Sequence, residues 1–227
     1  MDAASSALVS AFEGILHQLS SAFTVPTART FEQLATGWVL SPAGTVTGAI
    51  RSLGGRLKHW TVYEKFFYRA SWCLMELSLL VLTRLMTPLL GAVIEVVVDD
   101  TTCGPRGRHV ALAGWYKDAS AHARAPVIHW AHNWVILAVV VRLARWPGLR
   151  LTLPVFFALH RKKDQCDARH RYKTLPQLAR ELVCRVAEAL PGRQIASRWT
   201  ASTPPRTSSV ICHPMSSALA ACGRMRR

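Results

Sequence analysis

The sequence predicts an α/β (α+β) chain, with a helical N-terminal region followed by a partial mixed sheet with flanking helices. Apolar residues follow helical spacing up to about residue 88, and β-branched runs begin only after Pro88. The best-capped helix of the chain comes after those runs. With 227 residues, half of them apolar, the chain is long enough to bury a core and is not disordered as a whole.

The N-terminal region predicts several helices. Phe31 and Leu34 belong to an apolar stripe that a Ser-Pro pair ends, and Thr45 caps a second helix that Gly54 ends. Such a pair is either a helix-turn-helix that docks on DNA or two helices packed for stability, and the sequence favours the second. Between Thr61 and Met86, aromatic residues alternate with leucines at helical spacing, which is typical of core.

Four segments after Pro88 have the character of strands. Residues 92–98 (AVIEVVV) are nearly all aliphatic, which predicts a central strand buried on both faces. After a Gly/Pro turn, residues 109–113 are predicted to pair back as a short second strand. Residues 133–143 predict a third strand. Residues 150–159 are apolar and extended, and Pro154 places this segment at an edge or bend.

The next element is a helix with clear signals at both ends. Thr174 and Gln177 form a capping box, Pro176 lies in the first turn, and a Pro-Gly pair ends the helix. One apolar stripe runs along it, made of Leu175, Leu178, Leu182, Val186 and Leu190. A further strand is expected from Arg193 onward.

The excess of positive charge indicates which classes of partner the chain binds. Lys and Arg outnumber Asp and Glu 28 to 13, for a net charge of +15 and a pI near 10.5. This surplus is typical of proteins that meet a polyanion or an anionic membrane surface.

No membrane segment is expected. The longest apolar stretch without a formal charge, residues 127–141, is shorter than the about 20 residues that span a bilayer. The N-terminus lacks the basic region of a secretory signal. The six cysteines are scattered, which favours reduced thiols in a cytoplasmic protein.

Two adjacent carboxylates end the first predicted strand. Side chains alternate along a strand, so Asp99 and Asp100 face opposite sides and only one of them joins a given site. A hard cation such as Mg²⁺ takes carboxylate oxygens, and two-metal phosphoryl transfer needs several of them. The alternative is that Asp-Thr-Thr simply opens the turn after the strand.

Several blocks of sequence, in order over roughly residues 25–195, resemble one family. VVVDDTTCGPRGRHVALAGWYKDA is followed by HWAHNWVILAVVVRLARWPG and ALHRKKDQC, and the segments TGWVLSPAGTVTGAIRS and HWTVYEKFFYRASW precede them. Together they resemble the DDE transposases of bacterial insertion sequences, in the branch whose first catalytic strand ends in Asp-Asp-Thr.

The resemblance implies an RNase H-like fold, binding to transposon-end DNA, and Mg²⁺-dependent strand cleavage and transfer by three carboxylates. By position, Asp100 is the first catalytic carboxylate and a metal ligand, and Asp99 is its neighbour in the catalytic site. The basic loop after the extended segment either neutralises DNA phosphates or is merely solvated. Its cationic residues are Arg161, Lys162, Lys163, Arg169, Arg171 and Lys173.

The family pattern then breaks. Members carry a second carboxylate after the amphipathic helix, in a hydrophobic-Asp-(Gly/Ser)-x-Tyr-Ala motif, whereas this chain reads Arg-Trp-Thr-Ala-Ser-Thr-Pro from Arg198 and has no acid after Glu188. Read one base earlier, the codons of Trp199 and Thr200 give a hydrophobic residue and then Asp. We therefore expect a truncated transposase with a frameshift between about Arg193 and Trp199.

The expected product is a transposase fragment without catalytic activity; the alternative is a non-catalytic DNA-binding remnant that modulates an intact transposase. Its expected partners are DNA, a second copy, or an intact transposase. The expected organisation is a helical region over 1–88, a partial catalytic domain over 89–195, and a basic irregular tail over 196–227.

Overall fold

The computed structural model of the chain describes residues 3–54, 58–104, 110–117, 127–146 and 148–199. Contacts between Cα atoms divide these residues into two compact units, with the division between Leu85 and Met86. The division lies three residues before the boundary that the sequence predicts, since the chain turns through a 3-10 helix at Thr87–Leu89 before the sheet begins.

The first unit is helical, as predicted. Its described residues form α1 at Ala3–Ser20, α2 at Val25–Leu40, α3 at Val46–Ser52, α4 at Trp60–Tyr68 and α5 at Leu74–Leu80. A π-helical turn at Val81–Met86 continues from α5. The core of this unit is formed by Leu34, Tyr63 and Phe66.

The α2–α3 pair is packed closely. The Thr45 hydroxyl accepts a hydrogen bond from the N–H of Gly48 at 3.0 Å, so the predicted cap is confirmed. Gly37 lies so close to α3 that an added Cβ would be 2.4 Å from the carbonyl oxygen of Ala49. Only hydrogen fits between the two backbones here, so the two helices are closely packed, and whether they also dock on DNA stays a prediction.

The segment between α4 and α5 interrupts the helical stretch from Thr61 to Met86. Trp72 forms an isolated β-bridge with Phe23 and donates its indole N–H to the carbonyl of Phe66 at 3.2 Å. Its ring also stacks on that of Phe66, with centroids 5.5 Å apart. These contacts replace the helical hydrogen bonds that the periodicity alone predicts.

The second unit is a five-stranded mixed sheet with one α-helix against it. Its strands are β1 at Val93–Cys103, β2 at Gly114–Lys117, β3 at Ile128–Arg142, β4 at Arg150–His160 and β5 at Gln194–Trp199. The sheet order is β2-β3-β1-β5, and β4 also pairs with β3. β3 is antiparallel to β1, β2 and β4, whereas β5 is parallel to β1. The chain is therefore α+β, as predicted.

β1 differs from its prediction in two respects. It continues through both aspartates to Cys103, because these residues pair with β3 as far as His132. Only one of its faces is fully buried, with Ile94, Val96 and Val98 inside, while the alternate residues are exposed or half-buried. The prediction of a strand buried on both faces is therefore wrong.

The second strand lies later than predicted. Residues 110–113 form a turn, and Leu112 has a φ of 63°, which a strand does not allow. The strand itself is β2, and it pairs with β3 instead of β1. Most of the predicted Gly/Pro turn lies outside the described residues, and so does His109.

The remaining strands exist as predicted, although β3 begins five residues earlier than the predicted start at residue 133. β4 pairs only with β3 among the described strands, and its register shifts opposite Leu137 and Ala138, next to Pro154. Proline lacks a backbone N–H, and it is tolerated there because a residue at a bulge in an edge strand need not donate a hydrogen bond to a neighbouring strand. β5 reaches Trp199, so the predicted tail does not begin at residue 196; residues 200–227 lie outside the described residues.

The helix that covers the sheet is α6, at Leu175–Ala189. Thr174 and Gln177 make the predicted capping box. α6 contacts β1, β3, β4 and β5, and its buried residues Ala179, Leu182, Val183 and Val186 therefore lie against the buried face of the sheet.

Two further observations concern the cysteines and the helices. Cys73 is disulfide-bonded, so the expectation of reduced thiols is wrong for this residue, whereas Cys103 and Cys166 are free. Within the described residues, none of the helices is both long and apolar enough to cross a bilayer.

Candidate functional site

The two aspartates lie inside β1 and face opposite sides of the sheet. Asp100 shares the face of Ile94, Val96 and Val98, which α6 covers, and it is half-buried. Asp99 is exposed on the other face, and its carboxylate accepts a hydrogen bond from the backbone N–H of Asp100 at 3.0 Å. Of the two predicted catalytic residues, only Asp100 can therefore contribute to a site on the helix-covered face.

Asn133 on β3 is a polar neighbour of Asp100. Its side chain is 5% exposed and donates its amide N–H to the Asp100 carboxylate at 3.5 Å. The other amide atom, Oδ1, is buried and has no hydrogen-bond partner among the described residues. A buried oxygen without a donor is costly, and a cation or water next to Asp100 would satisfy it.

These residues do not make a magnesium site by themselves. Within the described ranges, no group of three or more His, Cys, Asp and Glu side chains is close enough to hold a metal ion. One carboxylate and one amide oxygen provide two ligands, whereas Mg²⁺ is octahedral and two-ion chemistry needs several carboxylates. The described residues thus do not fit the two-metal centre.

His160, at the end of β4, lies next to this pair. It is the register partner of Asn133, and the Tyr116 hydroxyl donates a long hydrogen bond of 3.4 Å to its backbone carbonyl. Burial lowers the pKa of His160, the charge of Lys162 lowers it further, and the carboxylate of Asp100 partly opposes both effects. The imidazole is therefore biased toward its neutral form.

Tyr116 also borders the site. Its pKa is raised, mainly by burial and then by the nearby carboxylate of Asp164 and by Tyr172. A Tyr with a raised pKa stays protonated at neutral pH and acts as a hydrogen-bond donor.

The six cations that the sequence assigned to DNA binding separate into two groups. Lys162 donates to the carbonyl of Trp115, and its ammonium lies 4.9 Å from the centroid of the Tyr116 ring. The ammonium of Lys163 lies 5.4 Å from the centroid of the Tyr172 ring. Both lysines are thus held by cation–π contacts.

The other four cations line a pocket of about 340 Å³ between the end of β4 and the start of α6. Its described lining consists of Leu159, Arg161, Ala168, Arg169, His170, Arg171, Lys173 and Leu178. This lining contains no carboxylate, and its basic groups all come from the loop that begins directly after His160. We call this cavity the basic pocket.

A short turn shapes one wall of the basic pocket. Asp167 and His170 exchange two backbone hydrogen bonds of 3.2 Å. The Asp167 carboxylate accepts the backbone N–H groups of Arg169 and His170 at 2.8 and 2.7 Å and also contacts the His170 ring at 2.9 Å. The hydrogen bonds from His170 lower the pKa of Asp167, so this carboxylate stays charged and keeps the turn closed.

Sequence reasoning missed Asn133 and His160 as neighbours of Asp100, and Tyr116 as a contact of His160. The signal for Asn133 was present, since an amide inside an otherwise aliphatic strand needs a polar partner when it is buried. His160 and Tyr116 offered no such signal, because the pairing of β2 and β4 with β3 brings them there.

Comparisons of this chain with protein-family models, with curated proteins and with solved structures give no match.

Proposed function

We propose that the chain is a DNA-binding fragment of a DDE-type transposase, with an RNase H-like sheet and without strand-cleaving activity. The observation that carries the proposal is the position of Asp100. It lies on a central strand, on the face that α6 covers, at the sheet end where the basic loop begins.

The order and direction of the strands support the RNase H-like assignment. β1, β3 and β4 form an antiparallel meander with β3 in the middle, and the chain then returns through α6 to add β5 parallel to β1. A crossover through a helix is the usual way to place two parallel strands side by side. Asp100 thus lies just beyond the part of β1 that pairs with both β3 and β5, at a strand end where sheet folds gather ligand-binding side chains.

The composition at the end of β5 supports the loss of cleavage. Trp199 pairs with Val98, so β5 ends next to the part of β1 that carries the aspartates. The family motif has its second carboxylate after the amphipathic helix, and this chain has no acidic residue after Glu188. With Asp100 as the one carboxylate that the described strands place on the helix-covered face, two metal ions have too few ligands to activate a nucleophile and stabilise a leaving oxygen.

The basic loop supports DNA binding. Four of its cations line one pocket without a carboxylate among the described lining residues, and the whole chain carries a net charge of +15. Neutralising phosphates with such groups releases counterions, and the affinity then falls steeply with salt.

Fluorescence anisotropy on a labelled duplex, followed by nicking of a supercoiled plasmid, tests the two parts separately. We expect salt-dependent binding and no nicking with Mg²⁺ or Mn²⁺. A flat dependence of affinity on salt, or the absence of binding, contradicts the DNA-binding part. Metal-dependent nicking that Asp100→Ala abolishes contradicts the inactive part.

The family suggests a second copy or an intact transposase as a protein partner. The preference of the chain for transposon-end DNA over random DNA distinguishes a remnant that modulates an intact transposase from an inactive fragment. Tighter binding to inverted-repeat ends than to random DNA favours a remnant that competes with an intact transposase. Equal binding to both favours a fragment that contacts only the phosphate backbone.

A further inference from the structure

We infer that the basic pocket is a discrete phosphate-binding site, which holds one phosphate group between the guanidinium groups of Arg161, Arg169 and Arg171. The inference deepens the proposed function, and it rests on that function only for the case in which the bound phosphate belongs to DNA. The same chemistry also fits a free phosphate or a nucleotide, and displacement of DNA by phosphate distinguishes these sources.

The charges of the pocket are the first reason. Arg161, Arg169 and Arg171 form no salt bridge with any carboxylate in the described part of the chain, whereas Lys173 pairs with Glu181 at 2.8 Å. Three arginines line one cavity, so their like charges repel each other, and an anion bound in the cavity would reduce that repulsion. Guanidinium groups match phosphate oxygens in planar, bidentate hydrogen bonds.

The shape of the pocket is the second reason. A volume of about 340 Å³ is at the lower end of small-ligand pockets. Leu159, Ala168 and Leu178 supply apolar lining next to the cations. A phosphate that is attached to a sugar suits this mixture of charged and apolar surface better than a bare inorganic ion.

The fixed geometry of the loop is the third reason. The turn from Asp167 to His170 is closed by backbone hydrogen bonds and by the Asp167 carboxylate, so Arg169 starts from an ordered backbone. Lys173 directly precedes the capping residue of α6 and is tied to Glu181 on that helix. Cations on an ordered frame lose less entropy on binding than free surface chains do.

The remaining cations of the loop provide the contrast. Lys162 and Lys163 lie over tyrosine rings and do not line the pocket. General attraction between a basic loop and DNA would use all six cations alike, whereas a phosphate site depends on those that line the cavity. The two cases therefore respond differently to charge-matched substitutions.

The test uses the full chain and isothermal titration with inorganic phosphate and with adenosine monophosphate, at constant ionic strength. The pocket variant is Arg169→Gln with Arg171→Gln. The matched control is Arg150→Gln with Arg198→Gln, which removes the same charge at two exposed positions outside the pocket. Circular dichroism checks that each variant is folded, and the single variant Arg161→Gln replaces the double one if that variant does not fold.

We expect the pocket variant to weaken phosphate binding about tenfold or more and the control to change it less than twofold. The absence of phosphate binding in the unaltered chain, or an equal loss in both variants, overturns the inference.

DNA binding then identifies the source. If phosphate displaces a labelled duplex from the unaltered chain and less so from the pocket variant, the site takes a DNA phosphate. If phosphate binds without displacing DNA, the site takes a free phosphate or nucleotide and the inference stands. If the chain binds phosphate but no DNA, the proposed function fails while the pocket remains.

Discussion

Replacing Gly37 by alanine tests the close packing of α2 on α3. Gly37 is buried, and a Cβ at this position would lie 2.4 Å from the Ala49 carbonyl oxygen and 2.9 Å from its carbonyl carbon. Both atoms belong to the backbone of α3, so neither can rotate away. The two helices must separate to accept the new methyl group.

The expected magnitude combines two opposing effects. Alanine is favoured over glycine in a helix by about 1 kcal/mol. Overpacking a tight contact costs about 1–3 kcal/mol, and a contact with rigid backbone falls at the upper end of that range. The net expectation is that Gly37→Ala destabilises the helix pair by about 2 kcal/mol.

Gly14 on α1 provides the matched control, because an added Cβ there meets no atom within 4 Å. Gly14→Ala should therefore gain up to about 1 kcal/mol from helix propensity alone. Hydrogen exchange on the full chain measures both effects locally, at the amides of α1, α2 and α3. Equal protection of α2 and α3 in Gly37→Ala and in the unaltered chain would refute the close packing.

Three further changes have defined expectations. Val183→Ala on α6, where the side chain is fully buried, removes two methyl groups and should speed exchange of the β1 amides by lowering stability about 2 kcal/mol. Thr174→Ala removes the cap of α6 and should cost about 1 kcal/mol, visible as faster exchange in its first turn. The pKa of His160 should be below about 6.5 in an NMR titration, should rise in Lys162→Ala and should fall further in Asp100→Asn. Since folding lowers this pKa, the unfolded chain takes up the proton first. The contribution of His160 to the free energy of unfolding is therefore complete above about pH 6.5 and is lost as the pH falls toward the folded pKa. If the His160 pKa does not shift in the two variants, the assigned causes are contradicted.

The parts of the fold that local signals determine were predictable. The capping box of Thr174, the proline after it and one apolar stripe define α6, and none of these depends on distant residues. The long aliphatic runs of β1 and β3 were equally clear, since few alternatives accommodate such segments.

The parts that depend on pairing between distant segments were not predictable. β2 is only four residues long and owes its place to β3, while Leu112 bends the chain where a strand was expected. The break between α4 and α5 results from the contacts of Trp72 with Phe23 and Phe66, which helical periodicity does not reveal. In both cases tertiary contacts override local propensity.

The candidate site was likewise predictable only in part. Strand alternation correctly placed Asp99 and Asp100 on opposite faces. Composition identified the basic loop but not its division, because the pocket depends on the turn at Asp167 and on the start of α6. The lysines over tyrosine rings were indistinguishable from the pocket arginines by charge alone.

The proposal that this chain descends from a transposase that has lost its second carboxylate can be tested on its coding DNA. The frame that begins at the third base of the Arg198 codon gives a hydrophobic residue and Asp from the fixed bases of Trp199 and Thr200. Sequencing codons 193–204 determines the next four residues in that frame. We predict Gly or Ser at the first of them, any residue at the second, and then Tyr and Ala; any other reading at the three specified positions would contradict the transposase origin.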